Sequence, residues 1–182
     1  MNKAVMISIK PQWCERIADG SKTLEIRKTV PKIELPFKCY IYETKDKRYQ
    51  DMGYCNPRTK TNFLHYPGMV IGEFICDHIL GNCEMANADI AEQQGRIRRE
   101  KLFEYSGGKE LFGWHISNLV IYDEPKEINL FLKEDFEQIY SNWEDMFGIG
   151  VSGCGSVEYS PEPKVEDYLL KRPPQSWCYV EV

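Results

Sequence analysis

At 182 residues the chain has the length of one domain able to bury a real core, with room for one sizeable insertion. Hydrophobic residues at 42% and charged residues at 28% exclude a chain disordered throughout, and no run of about 18 apolar residues is present to span a membrane. The net charge of -5 argues against coating duplex DNA by bulk electrostatics, yet it is uneven: residues 1–60 hold 13 Lys and Arg against 7 Asp and Glu, and residues 61–182 hold 10 against 21.

The first apolar run, A-V-M-I-S-I at residues 4–9, predicts a strand that stops at Lys10-Pro11, where proline removes the next backbone donor. Lys10 follows so short a run that this segment reads as a first strand and not as a signal peptide or a membrane span. Pro11 suits the first turn of a helix and Gly20 the residue just past its end. They frame a short helix over 11–19 with Trp13, Cys14, Ile17 and Ala18 on one face. In the next stretch, G-S-K-T-L-E-I-R-K over 20–28, side chains alternate with period 2: Leu24 and Ile26 point into a core, and Thr23, Glu25 and Arg27 point the other way. Glu25 and Arg27, with Lys22 just before the strand, are offered to a cleft.

F-K-C-Y-I-Y-E-T at 37–44 and M-V-I-G-E-F-I-C-D at 69–77 predict a third and a fourth strand, with Gly72 marking a bulge or bend. The polar, turn-rich segment between them predicts a long surface loop. A helix is expected over 86–105, capped near Asn87 or Asp89, carrying R-I-R-R-E-K and ended by Gly107-Gly108. L-F-G-W-H-I-S-N-L-V-I-Y at 111–122 reads as a fifth strand and Q-S-W-C-Y-V-E at 175–181 as the last. From about 133 to 170 the pattern loosens into an acidic piece of helical character, a glycine-rich stretch and a proline-punctuated one, predicted to be an insertion before the closing strand. Five to six strands at irregular spacing with few helices predict a single α+β domain over 1–182, a small mixed β-barrel with short helices packed at its ends.

Seven cysteines form no regular framework and mostly sit among apolar neighbours, as Cys39 does in F-K-C-Y-I-Y, so they are expected to be reduced thiols in a cytoplasmic protein. Two zinc-ligand sets can be drawn, Cys76 and His78 with Cys83, or Cys55 with His65, but neither has paired C-x-x-C spacing. His65, His78 and His115 are therefore read as ordinary polar or core residues, and no metal or cofactor is expected.

The opening S-I-K-P-Q-W-C-E-R-I-A-D-G-S-K-T-L-E-I-R-K resembles the signature of the ASCH domains of the PUA-like superfamily, in which a strand ending in Lys-Pro leads through a short helix to G-x-K-T-x-E-x-R. The G-M-V-I-G-E-F strand, G-W-H-I-S-N-L-V-I-Y-D-E-P-K-E-I and the closing R-P-P-Q-S-W-C-Y-V-E are similar to later parts of bacterial and phage-borne examples. The likeness covers most of residues 3–130 and 171–182, and not the segment between. It implies a PUA-like barrel with a cleft beside the first helix, in a superfamily associated with RNA binding and RNA modification. Position by position, Lys10, Gly20, Lys22, Glu25 and Arg27 match. The acetylcytidine amidohydrolases, one enzymatic branch, place a threonine nucleophile three residues after the lysine, where this chain has Glu25; their downstream glutamate corresponds to Glu92 or Gln94. A carboxylate is a poor replacement for a hydroxyl nucleophile, which speaks against that mechanism here.

Three functions follow. The first is binding of RNA or a nucleoside- or nucleotide-like ligand in a cleft formed by Lys10, Trp13, Gly20, Lys22, Glu25 and Arg27, the cations meeting phosphate or carbonyl oxygens and Glu25 accepting hydrogen bonds or holding the cations. Arg27, Lys28, Lys32, Lys45, Lys47 and Arg48 supply further charge and Trp13, Tyr40, Tyr42, Tyr49 and Tyr54 supply rings, although aromatic residues in strands are more often core. The second is an amidohydrolase on acetylcytidine or a related acylated nucleoside, with Lys22 as base and Glu25 acting through water. The third is an accessory domain that binds a protein through the acidic 134–167 region. Against all three stands a solvated salt-bridge ladder on the polar face of an ordinary strand, and an R-I-R-R-E-K run that is only a solvated helix face.

Overall fold

A computed structural model describes residues 3–133, 136–144 and 162–181. Its centre is strand β1 (Lys3–Ile9), buried on both faces because it lies inside a five-stranded sheet. β3 (Phe37–Glu43) runs parallel to it on one side, and β10 (Trp177–Glu181) runs antiparallel on the other. β6 (Val70–Cys76) and β9 (Ser117–Lys126) complete the order β10-β1-β3-β6-β9. A parallel neighbour needs a crossover. Here it includes α1 (Pro11–Ala18) and β2 (Leu24–Arg27), which carry or flank the motif residues.

Alternation along β1 separates two cores. Val5, Ile7 and Ile9 face one with Cys39, Ile41, Ile71, Phe74 and Trp114; Ala4 and Met6 face the other with Tyr40, Tyr42, Val70 and Val180. Phe131 and Leu170, from either side of the expected insertion, lie in this second core, and Leu132 and Leu169 form an isolated bridge. Residues 134–135 and 145–161, half of the expected insertion, lie outside the described residues. Within that stretch α4 (Phe136–Trp143) matches the helical character read from the sequence.

The expected fifth strand is two strands. β8 (Phe112–His115) belongs to a second sheet, β2-β8-β7, with β7 at Ile79–Leu80, and β9 belongs to the first. Ile116 alone separates them and gives its N–H to Thr23 O at 2.9 Å. Trp114 of β8 is fully buried and packs edge-on against Phe37 of β3 at 5.8 Å, which joins the two sheets through side chains. Among the described residues no ladder connects β9 to β10, so the closed barrel expected from strand count is not formed by hydrogen bonds, and the architecture is α+β with a five-stranded sheet and short helices.

The expected helix over 86–105 is also divided, into α2 (Ala88–Gly95) and α3 (Arg99–Ser106), with Arg96 at φ 55° between them. The expected surface loop carries a hairpin, β4 (Gly53–Cys55) and β5 (Asn62–Leu64), whose Phe63 enters the first core. Gly72 stands at a register shift between β6 and β9, and a Cβ there would run into the Val120 carbonyl. Among the described residues no helix is long and apolar enough to cross a membrane. Among the described residues Cys14, Cys39, Cys55, Cys76 and Cys83 are thiols outside any disulfide.

Candidate functional site

The motif converges at the end of the crossover. The Lys10 carbonyl accepts the Trp13 and Cys14 N–H groups as α1 begins, with Pro11 at the position whose missing N–H costs nothing. After α1 the chain reverses at Gly20, whose φ of +73° is a left-handed value that suits glycine. β2 then pairs antiparallel with β8, Glu25 opposite Trp114 and Arg27 opposite Phe112. Leu24 and Ile26 pack into a third core with Cys83, Ala91, Leu102 and Leu111 beneath α2 and α3.

The charged face of β2 is buried too, which removes the solvated-ladder reading. Lys22 is 4% exposed, Glu25 6% and Arg27 8%. Glu25 receives both cations, Lys22 Nζ at 3.2 Å and an Arg27 terminal nitrogen at 3.0 Å. Lys22 Nζ also donates to Leu24 O and Gly95 O, each at 2.8 Å, and so satisfies a carbonyl at the C-terminal end of α2. Arg27 donates to Ser8 O at 2.6 Å and to Ser176 Oγ at 3.3 Å, tying β2 to β1 and to the approach of β10. Its Nε is buried with no hydrogen-bond partner among the described residues. Burial pushes the Lys22 ammonium below its ordinary value, and the Glu25 carboxylate opposes that shift.

Above this knot lies a cleft of about 1000 Å³. Lys10, Trp13, Lys22, Glu25 and Arg27 line it; Gly20 does not, and its part is the turn that delivers Lys22. Trp13 is half-buried, packs beside the first core, and lies with its ring 5.2 Å from Lys22 Nζ and 5.1 Å from the Arg16 guanidinium. Another wall comes from the R-I-R-R-E-K run, weighed from the sequence as a solvated helix face, and from the residues after it. Arg96 and Arg98 in the α2–α3 turn, and Lys101, Glu104 and Tyr105 on α3, all line the cleft, and Lys28 Nζ lies 4.8 Å from the Tyr105 ring. The cationic run at 96–101 was the visible signal; what it faces depends on the helix break.

Contacts from a distant part of the chain hold that break. The Thr23 N–H donates to Gln94 O at 3.0 Å, Lys22 to Gly95 O, and Arg16 to Arg96 O at 2.9 Å, so three successive carbonyls are taken by α1 and the segment leading into β2. Arg96 Nε donates in return to Ser21 O at 2.6 Å. Glu92, one candidate for a downstream glutamate, instead accepts the Arg99 N–H at 3.3 Å and does not line the cleft; neither does Gln94. Glu104 is the second carboxylate at the cleft, beside Glu25.

Of the rings considered for stacking, Tyr40 and Tyr42 are core and Tyr49 and Tyr54 belong to the arm beside α1; none lines the cleft. Tyr54 and Asn56 both donate to Asp19 Oδ2, at 3.1 and 2.6 Å. His65 is no metal ligand with Cys55. It is 2% exposed and lies between Glu43, Nδ1 to Oε1 at 2.5 Å, and Glu15, Nε2 to Oε1 at 2.9 Å, while Cys55 is exposed. Cys76 and Cys83 lie in separate cores, where burial pushes their thiols up to about 12 and about 11, so the set drawn through them does not assemble.

No family model and no curated protein matches this chain. Among solved structures it is similar to an ASCH protein from Zymomonas mobilis, with a TM-score of 0.57 at 15% identity over 100% of this chain and 90% of that one. Two point mutants of the same protein give TM-scores of 0.56 and 0.58 at 14% identity, over 98% and 99% of this chain and 90% and 89% of theirs. The chain therefore has an ASCH-like α+β fold, in agreement with the resemblance carried by its opening motif.

Proposed function

We propose that the cleft binds single-stranded RNA or a nucleotide-sized anion. One observation carries this reading: eight Lys and Arg side chains and only two carboxylates line a single cleft of a chain whose net charge is -5. A concentration of one sign within a concave wall focuses potential on an anionic ligand. Trp13 and Tyr105 add ring faces, and stacking is how unpaired bases are held without regard to sequence. Lys22 is not the phosphate ligand, because its donors are directed to Glu25 and two carbonyls. The exposed rim, Lys10, Arg98 and Lys101, takes that role, with Lys22, Glu25 and Arg27 as the rigid floor. Anisotropy of a labelled single-stranded RNA at low salt tests this. Saturable binding weakened at least about tenfold by a Lys10→Ala/Arg98→Ala/Lys101→Ala variant is expected; no binding, or binding unchanged in that variant, rejects it.

An amidohydrolase on acetylcytidine or a related acylated nucleoside is a second reading. Its support is the depressed ammonium of Lys22 beside Glu25 at the floor of the cleft. Against it, Lys22 donates to three acceptors and Glu25 is held by two cations, which leaves neither group free to move a proton. Release of cytidine from acetylcytidine, abolished by Lys22→Met, would establish the enzyme; intact acetylcytidine would dismiss it. A protein partner at the 134–167 region is a further proposal resting on acidity alone, and most of that segment lies outside the described residues.

A further inference from the structure

We propose that Asp77, His78 and His115 form a site for one divalent transition-metal ion of the zinc type. Asp77 and His78 make the turn between β6 and β7, and His115 ends β8. The β7–β8 pairing fixes the two segments against each other, Ile79 opposite Trp114 and the His115 N–H on His78 O at 3.1 Å. Both histidine Nδ1 atoms lie near the same carboxylate oxygen, Asp77 Oδ1, at 2.7 Å for His115 and 3.1 Å for His78. The rings stack at 4.3 Å with an interplanar angle of 23°. One donor atom from each residue falls within 4.8 Å of the others, and no second group of three such residues is this close among the described residues.

These separations are near what an ion requires. Two donors on one tetrahedral ion with bonds of about 2.0–2.1 Å stand about 3.3 Å apart. The two nitrogen–oxygen distances need to open slightly and the stacked rings to turn so that both Nδ1 lone pairs meet one ion, movements open to rotatable side chains near the protein surface. Two imidazoles and a carboxylate select zinc and its transition-metal neighbours over magnesium or calcium, which prefer all-oxygen sets. Three protein ligands leave a fourth position facing solvent, since Asp77 and His78 are exposed and His115 is half-buried. The nearby Cys76 thiol does not compete, being buried and turned onto His78 O at 3.5 Å. None of the three residues lines the cationic cleft, so this site stands independently of the proposed RNA binding.

Calorimetric titration of ZnCl2 into chelator-stripped protein carrying no polyhistidine tag tests the site. One equivalent per chain is expected, weakened at least about tenfold by either His78→Ala or His115→Ala, since each removes one of three ligands. Cys55→Ser leaves binding unchanged. The wild-type chain provides a second readout, because cobalt at this site gives visible absorption without the near-ultraviolet band of thiolate ligation. No saturable binding, binding retained in the His78→Ala/His115→Ala double variant, or a thiolate band would each overturn the assignment.

Discussion

Glu25 decides whether the floor of the cleft holds together. Its carboxylate faces two buried cations, and the hydrogen bonds of those cations reach β1, α2 and the segment before β10. Removing one member of a buried charge group costs more than the net worth of the contact, because the partners remain buried without compensation. Glu25→Ala is therefore expected to destabilise the fold by about 3–5 kcal/mol in urea unfolding, and Glu25→Gln by less. Equal and small effects from both would show the carboxylate to be dispensable. That Glu25 and Arg27 share a face was readable from the period of β2, and Lys22, which precedes the strand, was tied to them by the motif. That Lys22 also caps α2 was not, because Gly95 lies 73 residues further on.

The arm made by β4 and β5 rests on α1 through two polar clusters at the scale of elements. Glu15 and Glu43 grip His65, while Asp19 accepts from Ser21 N, Tyr54 Oη and Asn56 Nδ2. Burial pushes the Asp19 carboxyl up, but these hydrogen bonds outweigh it and hold the group below its ordinary value. A carboxylate depressed in the folded state contributes stability that is complete above the unfolded value of about 3.9 and lost as pH falls through the lower folded value. Urea midpoints measured between about pH 5 and pH 2 should thus fall for the native chain and fall less steeply for Asp19→Asn. Parallel curves would remove Asp19 from that account. Sequence patterning placed the polar segment 45–68 outside the main strands; it did not reveal the arm's attachment, since Asp19 and Asn56 are joined only by the packing of α1 against the hairpin.

At the scale of the whole molecule, an acidic chain gathers eight of its 23 Lys and Arg side chains in one concavity. Binding of single-stranded RNA there should weaken with salt, and phosphate contacts from the three rim cations give a slope of about -2 in log K against log salt. A slope near zero would mean that the ligand is not held through phosphates. The charge excess of residues 1–60 was visible from composition, but half of the eight cleft cations are Lys28, Arg96, Arg98 and Lys101, three of them from the acidic remainder. Arg96, Arg98 and Lys101 reach the cleft because α2 breaks before α3. By itself the sequence determined β1 as an apolar strand stopped at Lys10-Pro11, the alternation of β2 with its charges on one face, and the frame of α1 between Pro11 and Gly20, since these follow from local backbone periods and steric preferences. Only the tertiary structure decided what covers that face, how Ile116 divides one apolar run between two sheets, and that His78 meets His115. Those outcomes depend on packing between segments far apart in the chain, which a local period does not encode.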